Sequence, residues 1–188
     1  MKRHPIGTTG LHVTPLGFGT AALGGMPDTY GHDVDEAIAR ETINAIFESP
    51  ANLIDTSRNY GFGRSEQRIG AVIRERGGLP DGFVVSTKLD RDMETGRFDA
   101  DQVRRSAEES LTALGLEKFQ ILHLHDPEHA RDLDEIRRPG GALDALVRMK
   151  DEGMADAIGI AMGEIYYVKE LAEDCAADGV YEFFFCAI

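Results

Sequence analysis

Leu16-Gly17-Phe18-Gly19-Thr20-Ala21-Ala22 decides between two parallel α/β architectures. A doubly wound dinucleotide-binding fold puts a GxGxxG turn directly after its first strand and opens a helix on it. Backbone amides and the helix N-terminus then hold a pyrophosphate. Here Leu16 to Gly19 reads as a short strand, but a polar Gly/Asp loop follows from Gly24 to Asp33, and helical periodicity resumes only at Ile38. The phosphate-cradling geometry is absent.

Outward from that segment, short apolar runs alternate with helical periods. Ile38, Thr42, Ala45 and Ile46 predict an amphipathic helix ending near Ser49, since Pro50 disfavours helical backbone before it. Asn52 to Asp55 is the next strand. Ser65 reads as the N-cap of a helix with Ile69, Val72 and Ile73 on its apolar face, closed by Gly77-Gly78. Strands follow at Phe83–Thr87, Phe119–Leu124, Ala157–Ala161 and Tyr181–Ile188. Between them lie helices marked by Val103, Ala107, Ser110, Leu111 and Leu114, by Leu143, Leu146 and Val147, and by Ile165, Val168, Leu171, Ala172 and Cys175. Strict βα alternation means a parallel sheet. Strand ends near Gly19, Asp55, Lys88, His125 and Ala161 are 36, 33, 37 and 36 residues apart, a regular step that suits equivalent units of a (β/α)8 TIM barrel. Residues 1–188 read as one domain, with strands one to six of the barrel over 16–188.

Composition narrows the partners. The 188 residues are 42% hydrophobic and 28% charged with 21 glycines, which excludes a disordered or collagen-like chain. A net charge of −13 repels phosphate backbones and anionic lipid, so nucleic acid and membrane are not expected partners. Cys175 and Cys186 form no CxxC pair and suit a reducing cytoplasm. Met1 to Gly7 has no apolar leader core.

Barrel active sites gather at the C-terminal ends of the strands. Asp55, Tyr60, Lys88 and His125 lie at or just beyond three successive strand ends. Singly, each has a bland role as a cap, a rim cover or a surface cation. Together their chemistry is complementary. A phenol titrates near ~10, and a neighbouring ammonium favours its ionised form. Lys88 supplies that cation, Asp55 aims it, and His125 orients a bound carbonyl or alcohol towards Tyr60. Such a set exchanges one proton with an oxygen, which fits hydride transfer to or from a bound cofactor. It lacks the nucleophile–base pair of acyl transfer and the carboxylate pair of a glycosidase.

At these residues the chain resembles the aldo-keto reductases. Asn52-Leu53-Ile54-Asp55-Thr56-Ser57-Arg58-Asn59-Tyr60-Gly61 and the following Phe62 to Gly70 resemble the family's first signature. Val84-Val85-Ser86-Thr87-Lys88 and Gln120-Ile121-Leu122-His123-Leu124-His125 are similar to the strands bearing its lysine and histidine. The resemblance implies that Asp55, Tyr60, Lys88 and His125 are catalytic and that NADP or NAD is the cofactor. It sets Gly19, Thr20, Asp55, Ala161 and Met162 against that cofactor. It also makes residues 1–13, with the turn Gly7-Thr8-Thr9-Gly10, an N-terminal β-hairpin plugging the barrel bottom. Asp126-Pro127-Glu128 and Gly19 to Gly25 lean towards bacterial sugar dehydrogenases of the D-threo-aldose or L-fucose type, with pyridoxal dehydrogenases close by. The implied substrate is a small sugar or aldehyde.

Two departures stand out. Where the family often has a Ser-Asn pair on the nicotinamide carboxamide, this chain has Ala161 and Met162, which offer no side-chain amide; backbone groups or Glu164 are the substitutes. A complete barrel runs to ~250 residues, so the chain reads as an incomplete barrel of about six βα units, truncated at the C-terminus. Open edges would then leave Glu182 to Ile188 prone to self-association. A non-catalytic relative is the alternative function. A metal-dependent hydrolase, suggested by His123-x-His125 with Asp126 and His129, is the weaker one.

Overall fold

In a computed structural model of the chain, the buried side chain of Asn52 ties three backbone segments together. Its Oδ1 accepts from the Thr14 amide (2.8 Å), and its Nδ2 donates to the carbonyls of His12 (2.9 Å) and Gly82 (2.7 Å). The Asn52 amide in turn donates to Thr14 Oγ1 (3.1 Å). The structure describes residues 1–129, 133–163 and 183–186, together with positions 169, 173, 177 and 179. It divides into two compact units, Met1–Thr87 with Glu109–Glu117, and Lys88–Glu108 with Lys118–Ile188.

The first unit opens with a hairpin. β1 (His4–Pro5) and β2 (His12–Val13) pair antiparallel, His4 opposite Val13, and Gly7 and Gly10 take the positive φ that the turn needs. β3 (Phe18–Gly19) and β4 (Leu53–Asp55) run parallel with Gly19 opposite Asp55. β4 pairs in parallel with β5 (Val84–Leu89), Asp55 opposite Ser86. A 3-10 turn, Ala21–Gly24, leads into the stretch read as a loop from Gly24 to Asp33, which instead contains a one-turn helix α1 (Pro27–Tyr30), started by a proline at its first position.

α2 (Glu36–Glu48) is capped by Asp35, whose Oδ1 accepts from the Ile38 amide (2.8 Å), and it stops before Pro50 as expected. Its buried face is Ala39, Ile43, Ile46 and Phe47, whereas Ile38 is half exposed. The expected stripe through Ile38, Thr42 and Ala45 is therefore rotated by one residue. The rotation buries Phe47, whose ring meets Phe83 edge-on at 4.9 Å. α3 (Arg64–Glu75) also differs at its start. Its N-cap is Gly63 at φ 93°, and Ser65 lies inside the helix with its hydroxyl donating to the Thr20 carbonyl (2.9 Å). A partner 45 residues away in sequence wins over the local cap. Ile69, Val72 and Ile73 are buried as the periodicity predicts.

In the second unit, β6 (Phe119–His125) and β7 (Ala155–Met162) pair in parallel with His125 opposite Ala161. β7 pairs in parallel with β8 (Phe183–Cys186). Both β6 and β7 are buried along nearly their whole length, the mark of parallel strands covered on both faces. α6 (Ala142–Asp151) packs on them through Ala142, Ala145, Leu146 and Met149. A short α5 (Leu133–Arg137) precedes it. α4 (Ala100–Leu114), with Val103, Ala107 and Leu114 buried, passes from the second unit into the first. The helix expected through Ile165, Val168, Leu171, Ala172 and Cys175, together with Glu164, Tyr181, Glu182, Ala187 and Ile188, lies outside the described residues.

Candidate active site

Asp55 closes β4. Its Oδ1 accepts from Ser86 Oγ (2.9 Å), its register partner on β5. Its carbonyl accepts twice from Thr20, from the amide at 3.0 Å and from Oγ1 at 2.9 Å. Thr20 is fully buried, and its hydroxyl also takes a contact from Ser65 Oγ at 3.0 Å. The result is a hydroxyl cluster that holds the ends of β3 and β4 together. Gly19 beside it is exposed, and a Cβ there would meet no heavy atom within 4 Å.

Tyr60 stands on the turn between β4 and α3. The Tyr60 amide donates to the Ser57 carbonyl (3.1 Å) and the Ser65 amide donates to the Tyr60 carbonyl (3.2 Å). Gly61, at φ 63°, packs backbone to backbone on Gly24; a Cβ on Gly24 would lie 2.6 Å from the Gly61 nitrogen. Arg64 locks the same approach by donating to the carbonyls of Gly25 (2.6 Å) and Gly61 (3.1 Å). Phe62 at the tip is 76% exposed and has φ 57°, a backbone conformation costly for a bulky residue.

Lys88 and His125 belong to the second unit, whereas Asp55 and Tyr60 belong to the first. Lys88 is among the largest fully buried side chains. A buried lysine is uncommon and marks a candidate functional cation. His125 ends β6, with Nδ1 2.5 Å from Asp90 Oδ1 and Nε2 3.5 Å from Asp126 Oδ2. Asp126 takes φ 43° and donates its amide to the Ala161 carbonyl (2.7 Å), carrying the β6–β7 ladder one step further. His123 is buried, and burial, then the charge of Lys88 and His125, pushes its imidazole down from 6.5 to about 3. A histidine so placed is neutral at pH 7.

Asp90 was not among the residues singled out from the sequence. The available signal was its place two residues beyond Lys88, hence on the same side of an extended chain. Among the described residues, no three His, Cys, Asp or Glu side chains gather as a metal-holding group, so the His123-x-His125 pair is not extended into one. Ala161 and Met162, at the end of β7, are both buried. The Ala161 carbonyl is taken by Asp126, and the Gly163 amide donates to Glu128 Oε1 (2.6 Å). Among the described residues, no helix is long and apolar enough to cross a membrane.

The comparisons with known proteins bear on family and fold. Residues 15–183 match the model of the aldo/keto reductase family. The chain is 36% identical to the L-galactose dehydrogenase of Arabidopsis thaliana over 82% of its own length and 46% of that protein's. It is 31% identical to the D-threo-aldose 1-dehydrogenase of a Pseudomonas species, over 80% of the chain and 50% of that protein. Among solved structures it superposes on the holo form of an aldo-keto reductase from Bacillus halodurans with TM-score 0.72 and 26% identity, covering 92% of the chain and 54% of that structure. The chain therefore belongs to the aldo/keto reductase family. Its parallel strands alternating with helices are the α/β architecture of that family's (β/α)8 barrel, in part. It spans about half the length of the curated relatives it matches.

Family membership implies a nicotinamide cofactor. The open space at Gly19, beside Asp55, leaves room at that strand end. At the end of β7 the fit is poorer. There neither Ala161 nor Met162 presents a side-chain amide, the Ala161 carbonyl already accepts from Asp126, and the Gly163 amide donates to Glu128.

Proposed function

We propose that the protein is an NAD(P)-dependent oxidoreductase acting on the CH–OH of an aldose or a related small alcohol or carbonyl compound, with Tyr60 as general acid/base. The support is the order of residues at successive strand ends: Asp55 closing β4, Lys88 near the end of β5 and His125 closing β6. The bound nicotinamide, NADP or NAD, supplies the hydride acceptor or donor. Gly19, Thr20 and Asp55, with Ala161 and Met162, are the residues assigned to hold it. Gly19 contributes space and Thr20 acts by fixing the Asp55 backbone, while Ala161 and Met162, both buried, are assigned by the family resemblance alone.

In the oxidative direction Tyr60 Oη takes the hydroxyl proton of the substrate, and in reduction it returns one. By the family resemblance Lys88 is the cation assigned to favour the phenolate form, and Asp55 the carboxylate assigned to that cation. His125 orients the reacting oxygen. The sugar assignment draws on the names of the two curated relatives, both sugar dehydrogenases. The test is Tyr60→Phe. Turnover of aldoses with NAD(P) is expected to fall about 10²–10⁴-fold, with nicotinamide binding by fluorescence titration unchanged. A Tyr60→Phe protein oxidising sugars at the original rate would overturn the mechanism.

A further inference from the structure

His125 meets a carboxylate outside the four groups assigned to the reaction. Asp90 is 3% exposed, and its Oδ1 stands 2.5 Å from His125 Nδ1. Its backbone is fixed independently by α4. The Asp90 amide donates to Ser106 Oγ (3.0 Å), and the Asp90 carbonyl accepts from Gln102 Nε2 (2.9 Å). Gln102 is itself held at its amide by Asp99 Oδ1 (3.0 Å). The backbone bonds anchor the loop, and the carboxylate meets the imidazole.

A carboxylate only accepts hydrogen bonds. Placed against Nδ1, it requires a proton on that nitrogen in the neutral ring as in the charged one. We propose that Asp90 is a positioning residue for the reaction. By taking the Nδ1 proton of His125 it locks ring orientation and tautomer and leaves Nε2 as the nitrogen facing substrate, an acceptor for a neighbouring substrate hydroxyl while the ring is neutral and a donor to the reacting oxygen only when the ring is charged. Asp126 does not compete for this role. Its 3.5 Å approach to Nε2 exceeds an ordinary N–H···O length, and it lies on the opposite edge of the ring. The assignment to substrate rests on the oxidoreductase reading; the tautomer itself does not.

The experiment is ¹⁵N–¹H correlation of the imidazole nitrogens of the chain without cofactor. It is run well above the ordinary imidazole value of ~6.5, with the His125 signal assigned by its loss in His125→Asn. The expected wild-type pattern is a protonated Nδ1 and a bare Nε2. Asp90→Leu is expected to move the population to the Nε2–H form, and Asp126→Asn to leave it on Nδ1–H. A wild-type ring protonated mainly at Nε2 overturns the proposal even if Asp90→Leu fails to fold, and so does an Asp90→Leu protein that keeps the Nδ1–H form. In turnover, Asp90→Leu is expected to raise KM about tenfold through loss of one positioning bond, in contrast to the kcat loss of Tyr60→Phe. If Tyr60→Phe leaves turnover intact while the tautomer shifts as expected, the oxidoreductase reading fails and the Asp90–His125 coupling stands.

Discussion

Thr20 gives both its amide and its hydroxyl to one acceptor, the carbonyl of Asp55, at 3.0 and 2.9 Å. That double bond of contacts joins the ends of β3 and β4 at the residue assigned to aim the lysine. Thr20→Val keeps the shape and the amide but removes the hydroxyl. A fully buried hydroxyl cluster loses a member, so urea unfolding is expected to show a loss of about 1–3 kcal/mol. No change in the midpoint would mean that the cluster is not a stabilising element.

Gly61 admits no side chain. A Cβ there would stand 2.5 Å from Gly24 Cα, and its φ is 63°. Gly61→Ala combines a left-handed backbone penalty with overpacking, a cost of about 2–5 kcal/mol. The turn carrying Tyr60 would have to move, so turnover is expected to drop along with the melting temperature.

His123 makes stability depend on pH in a defined window. Its folded value of about 3 lies below the ordinary 6.5, so between those pH values the unfolded chain binds a proton that the folded chain does not. Stability from this group is complete above pH 6.5 and is lost as pH falls towards 3, with a slope of up to about 1.4 kcal/mol per pH unit. His123→Leu is expected to flatten the melting-temperature profile across that window and to leave it unchanged above. An identical slope in both proteins would assign the acid sensitivity elsewhere.

Thr87 Oγ1 donates to Oε1 of the fully buried Glu66 at 2.6 Å. Thr87→Val is nearly isosteric but removes a donor from a carboxyl group out of contact with water. The expected cost is about 1.5–3 kcal/mol, read by chemical denaturation. Thr87→Ser, which keeps the hydroxyl, is expected to recover most of it.

Phe62 offers the opposite sign. Exposed and left-handed, it gains little from burial and carries backbone strain. Phe62→Asn places there a residue that tolerates this conformation, and a gain of about 1 kcal/mol is expected. A destabilised variant would show that the ring makes contacts worth more than the strain.

Much of the strand and helix order was legible in the sequence because it follows from local rules. Pro50 limits α2 whatever the rest of the chain does. Asp55, Lys88 and His125 fall at or next to strand ends because the apolar runs before them end there. What the residue pattern missed was phase and partnership. α2 buries Phe47 in preference to Ile38, since Phe83 waits for an aromatic ring on that side. Ser65, an apt N-cap by type, donates instead to Thr20.

Residue order alone therefore carried the alternation of elements, the chemistry available at each strand end and the family resemblance. These depend on period, on turn chemistry and on residue type, which are written along the chain. Folding settled which atoms meet: Thr20 with the Asp55 carbonyl 35 residues on, and Asp90 with His125, again 35 residues apart. Parallel strands bring such residues together only after an intervening helix has crossed back. The i, i+2 spacing from Lys88 marks Asp90 as a neighbour of the site, but the pairing with His125 is a product of the fold.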